Sequence, residues 1–123
     1  MAREDFSASL KDSLSRRVNL CCSNPGCGKP TAGPHTDPTR ALNIGVAAHI
    51  TAAAPRGPRY DITLSNAERA AFDNGIWLCQ NCAKLVDNDA SRYTAQTLTN
   101  WKDSAEAQAL REVAPSKETE ALA

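Results

Sequence analysis

A small α+β domain is the fold this sequence predicts, and three observations predict it. Four of its five cysteines fall into two close pairs, Cys22 with Cys27 and Cys79 with Cys82. Short strand-like runs, Leu42 to Ile50 and Ile76 to Leu78, lie between those pairs. Helical periodicity is confined to the flanks: Phe6, Leu10 and Leu14 recur every four residues, and Leu98, Trp101, Ala105 and Ala109 share one face. The expected organisation is an N-terminal helix within 1–17, a core domain over 18–114 that includes the last helix, and a polar tail or linker over 115–123.

The N-terminal helix should end before the first cysteine pair. Residues 23–40 are rich in Pro, Gly, Thr and Asp and read as loop, and Leu42 to Ile50 then reads as one strand with His49 near its end. Pro55, Gly57 and Pro58 prevent residues 51–62 from forming a continuous helix. Ser65 with Glu68 three residues on is a capping box, opening a short helix to about Phe72. Asp73-Asn74-Gly75 signals a turn, Ile76-Trp77-Leu78 a strand, and Ala83 to Asp87 the start of another helix. Thr94 should cap a final helix from Ala95 to Val113 that Pro115 stops.

Two cysteine pairs far apart in sequence suit a tetrahedral zinc ion, because each tight turn supplies two thiolates. Ser23-Asn24-Pro25-Gly26 and Gln80-Asn81 provide the turn residues. Two disulfides, or simply buried thiols, are the alternatives. Met1 to Asp5 is polar and no apolar run follows, so a reducing cytoplasm is expected, and an odd cysteine count fits a disulfide framework poorly. Cys22, Cys27, Cys79 and Cys82 are therefore the expected ligands of one structural zinc. Cys21 is expected as a small buried hydrophobe following Val18 and Leu20, with exchange of ligand role between Cys21 and Cys22 as the alternative.

With 123 residues and six aromatic side chains, the chain builds one domain of limited core, which a metal staple would offset. No apolar run is long enough to cross a bilayer. Zero net charge argues against the strongly basic class of nucleic-acid binders. The average hides a split, +4 over residues 1–60 and −4 over 61–123, which allows one basic face on a neutral molecule.

The order strand with terminal histidine, loop, asparagine turn, short strand and helix resembles the HNH endonuclease family, whose core is a ββα-metal unit. The matching stretches are Ala47-Ala48-His49-Ile50, Asp73 to Cys79, and the knuckle Cys79-Gln80-Asn81-Cys82. Asn43 to Ile50 together with Gly57-Pro58-Arg59-Tyr60-Asp61 is similar to the HNH domain of bacterial anti-phage effectors of the CBASS type, often fused to a SAVED sensor. That resemblance implies metal-dependent hydrolysis of double-stranded DNA with little sequence preference. It also implies a gating sensor, fused or as a partner, and leaves open a homodimer.

The resemblance makes His49 the general base and Asn74 the brace that orients it. A satisfied core histidine and an ordinary Asp-Asn-Gly turn are the structural alternatives. Arg56 and Arg59, in the loop after His49, and Lys84 are candidates for binding phosphate, against the alternative of solvated side chains. His35 has no such context and is read as surface. The family commonly places metal ligands where this sequence has Ala48 and Ala83, which offer no donor atom. Asp87, one helical turn beyond Ala83, is the expected replacement ligand for magnesium, ahead of Asp73, Asp61 and Asp89. A catalytically degenerate zinc-stapled module for nucleic-acid or protein contacts is the rival reading.

Overall fold

The computed structural model describes residues 5–115, so the expected tail over 116–123 and the first four residues lie outside the described part. Helix α1 spans Ala8–Arg16. Strands β1 (Ala32–Pro34) and β2 (Ala41–Asn43) form a small antiparallel hairpin, and β3 (Val46–His49) pairs antiparallel with β4 (Gly75–Leu78). Between β3 and β4 lie the short helix α2 (Asn66–Arg69) and a 3-10 turn over Phe72–Asn74. Helix α3 (Gln80–Asn88) follows β4 directly, and α4 (Ala95–Val113) closes the described chain. The result is a mixed α+β fold.

Local chemistry explains most boundaries. The Ser65–Glu68 capping box is formed in both directions, and Thr94 Oγ1 accepts the amide of Thr97 to start α4. The α2 helix stops at Arg69, short of Phe72, because the chain tightens into the 3-10 turn that delivers Asn74 to the interior. The expected loop over 23–40 contains β1, and the expected strand over 42–50 is two strands broken at Ile44 and Gly45. Helix α3 begins three residues before Ala83, since Cys79 Sγ accepts the amide of Cys82 and caps it.

The strand break at Gly45 has a packing cause. The indole of Trp77 lies against the Gly45 backbone, and a Cβ there would overlap the ring. Trp77 cannot yield, because its Nε1 donates to Thr31 Oγ1 at 3.0 Å while that hydroxyl donates to the Leu20 carbonyl at 2.6 Å. Gly45→Ala is therefore expected to destabilise the domain by about 1–3 kcal/mol, as overpacking does, which thermal unfolding would read. An unchanged melting midpoint would show that the hairpin simply moves away.

The core is continuous across β3, β4, α3 and α4. Ile76, Leu78, Val86 and Leu98 are the fully buried large apolar side chains, and Ala48, Ile50, Cys22 and Cys82 pack with them. A second cluster joins Leu14 and Val18 to Trp77. Lys102 lies on the same face of α4 as Leu98 and Ala109 yet is buried, its Nζ donating to the carbonyls of Phe72 at 2.7 Å and Gly75 at 2.6 Å. Burial pushes this amine down to about 8, and its head lies 3.6 Å from the centre of the Phe72 ring. It ties α4 to the turn that carries Asn74.

Candidate active site and metal centre

A cluster of four cysteines that could hold a metal ion is built by two turns brought together at the end of β4. In the first, Cys27 and Gly28 both donate their amides to the Asn24 carbonyl, with Gly28 at φ 64°, a conformation glycine adopts without cost. The amide of Ser23 donates to the Trp77 carbonyl, which docks this turn on β4. In the second, β4 runs into Cys79, and α3 carries Cys82 one turn on. One ligand atom from each of Cys22, Cys27, Cys79 and Cys82 lies within 4.8 Å of the others, and the Cys27 and Cys79 sulfurs are 4.0 Å apart.

A tetrahedron with metal–sulfur bonds of about 2.3 Å has edges of about 3.8 Å, so these four donors fit zinc in both number and spacing. Burial pushes the Cys22 thiol up. Burial opposes ionisation of Cys79 as well, but the Cys82 amide and the neighbouring thiols hold its sulfur below the ordinary thiol range. The Asn24 side-chain amide approaches Cys82 Sγ at 3.5 Å. Cys21 is half-buried rather than interior, and its Sγ donates to the Asn19 carbonyl at 3.3 Å, pointing it away from the ligand set.

The second site lies where β3 ends. His49 stands opposite Gly75 in the ladder and lines a cleft of about 390 Å³ together with Ala48, Ala83, Arg56 and Asp87. The loop over 52–58 forms one wall. It folds back on itself through the Ala52 amide to the Pro58 carbonyl, and Gly57 packs so closely on Ala52 that a side chain there would overlap it. Helix α3 contributes Ala83 and Asp87 to the opposite wall, where Asp87 Oδ1 accepts from Arg59 Nη2 at 2.9 Å.

Asn74 is buried, with its amide group fully engaged. Its Oδ1 accepts from the Thr51 amide at 2.9 Å and hydroxyl at 2.8 Å, and its Nδ2 donates to the Thr51 and Arg69 carbonyls at 2.9 Å each. Its backbone carbonyl accepts from the Ile50 amide. These bonds hold the two residues that follow His49, so Asn74 braces the chain at the histidine rather than serving only as a turn.

Arg59 departs from its expected place. Its side chain is only 6% exposed, and all three of its nitrogens are engaged: Nε with the Ile50 carbonyl at 2.6 Å, Nη1 with the Val86 and Tyr93 carbonyls, and Nη2 with Asp87 Oδ1 at 2.9 Å. The guanidinium is an internal strut between the loop and α3, its donors engaged by protein groups. Arg56 is exposed and lines the cleft, whereas Lys84 is exposed on α3 outside that lining. His35 Nδ1 accepts the Asp37 amide, Asp61 caps its own turn through Thr63, and Asp89 caps the turn at Ser91 and Arg92.

Two buried charges escaped the sequence reading. Lys102 was legible in principle, because it occupies an apolar position of the α4 pattern. Arg69, on α2, donates to Asn66 Oδ1 and the Asp61 carbonyl and lies over the Tyr60 ring at 4.6 Å, which no periodicity signals. No family model matches this chain, and no curated protein matches it. Among the described residues no helix is long and apolar enough to cross a membrane.

Proposed function

We propose that this domain is an HNH endonuclease that hydrolyses phosphodiester bonds of double-stranded DNA with low sequence specificity, and that it serves as the nuclease part of an anti-phage effector. The observation that carries the reading is the shared cleft: His49 at the end of β3, with Asp87 one helical turn beyond Ala83 on the facing helix, and Asn74 bracing the chain beside the histidine. Four thiolates hold zinc and tie the turn of Cys22 and Cys27 to the junction of β4 and α3, so the zinc is structural.

In this reading His49 takes a proton from water as the water oxygen bonds to phosphorus. The bond from phosphorus to the 3′ oxygen breaks and that oxygen takes a proton from solvent water, leaving 5′-phosphate and 3′-hydroxyl ends. Arg56 binds the phosphate from the loop wall, with Lys84 reaching DNA farther along α3. A magnesium ion would be held by Asp87, a hard oxygen donor suited to a cation that keeps most of its waters and takes substrate phosphate into its shell. Bound there, the ion supplies positive charge to the phosphate as it is attacked. Activation by a sensor, fused or partner, and dimerisation belong to the same proposal, set in the cytoplasm.

Plasmid nicking across divalent cations tests the reading. Cleavage should require magnesium or a similar ion, and Asp87→Ala should raise the magnesium concentration needed at least severalfold, while Asp89→Ala changes it little. An Asp87→Ala protein with unaltered metal dependence would remove Asp87 from the site. The rival of a non-catalytic zinc-stapled module draws support from the donorless Ala48 and Ala83 and from the Arg59 contact to Asp87. As a nucleic-acid-binding module it predicts salt-dependent DNA binding with no nicking in any metal, and as a protein-contact module no salt-dependent DNA binding at all, since phosphate contacts release counterions.

A further inference from the structure

We infer that Phe6 is a positioning residue for His49, an inference that rests on reading His49 as the base. The two rings stack with centroids 4.1 Å apart and planes inclined by 16°, and Phe6 is 4% exposed. Nearly parallel contact at this distance fixes the plane of the imidazole and keeps water from one of its faces. The stack joins the N-terminal segment to the end of β3.

Two further features of the fold aim the ring. Ser7 caps α1, so Phe6 occupies the position just before the cap, which ordinarily packs on the fourth helical residue. That residue here is Lys11, not an apolar one, so the usual apolar partner at that position is missing. The slot that receives it is opened by Gly75, the ladder partner of His49. A Cβ at Gly75 would come within 2.6 Å of Leu14 Cδ1 and 3.2 Å of Phe6 Cζ. A bare glycine opposite the histidine therefore lets α1 deliver an aromatic ring onto it.

The chain has two histidines, which makes the test direct. In the proton spectrum of the full chain, the His49 imidazole resonances should lie upfield of those of His35, shifted by the Phe6 ring current. Phe6→Leu should move them towards His35, and on plasmid DNA it should lower kcat by about ten- to a hundredfold with KM unchanged, as misplacement of a reacting group does. Leu10→Ala, which loosens α1 but keeps the Phe6 ring, should retain the upfield shift and most of kcat. Wild-type resonances without the shift, a Phe6→Leu enzyme with unchanged kcat, or an equal loss in Leu10→Ala would overturn the inference. A wild-type chain that cuts nothing would remove the nuclease reading, and the resonances alone would then decide whether Phe6 orients the ring.

Discussion

Replacing Cys82 by serine is expected to unfold most of the domain and to release its zinc. The free energy of binding a structural zinc, on the order of 10–16 kcal/mol, exceeds or matches the whole stability of a small domain, about 5–15 kcal/mol. Here the apolar interior is small, and Cys22 and Cys82 are themselves part of its main cluster with Ile76, Leu78 and Val86. Losing the metal would remove the tie between the first turn and the β4–α3 junction, leaving the Ser23 amide bond to the Trp77 carbonyl to dock that turn. A chelator should give the same result as the mutation, and acidification should weaken zinc retention, because protons compete for the thiolates. Elemental analysis with circular dichroism checks this. Folded Cys82→Ser protein, or folded wild type free of zinc, would remove the claim.

The parts of this molecule legible in its sequence are those determined by near neighbours. Cysteine spacing marked the four-cysteine cluster, the Ser65–Glu68 pair marked a helix start, and α4 runs from Ala95 to Val113 as its cap and pattern require. Asp87 reached the cleft because one helical turn is a local quantity. What stayed hidden depends on partners distant along the chain. Arg59 lies in a Pro- and Gly-rich stretch that reads as exposed, but the loop folds inward and uses its guanidinium to satisfy carbonyls at Ile50, Val86 and Tyr93. The break at Gly45 reflects the Trp77 indole, and the fixing of His49 reflects a phenylalanine that sequence reading had assigned only to the face of a helix. Local pattern cannot report such contacts, because each is a choice among many apolar or polar partners made by the whole packing.

The other large effect is expected at His49. Changing it to alanine should reduce plasmid cleavage by about 10²–10⁴-fold, the range that removal of a general acid or base gives, while the zinc content and the fold survive. Survival follows from the position of the side chain. The side chain is half-buried at the last residue of β3, and the backbone there is held by the ladder to Gly75 and by the Asn74 bonds to Ile50 and Thr51, none of which uses the imidazole. The stacked Phe6 would lose a ring partner but keep its contact with α1 and Gly75. Asn74→Ala provides the contrast, because it leaves the Thr51 and Arg69 carbonyls and the Thr51 amide without their partner, and buried unsatisfied groups cost about 1–3 kcal/mol each. That variant should lose stability together with activity, whereas His49→Ala should lose activity alone. Cleavage by His49→Ala at a rate near wild type would make the histidine a packing residue and end the proposed mechanism.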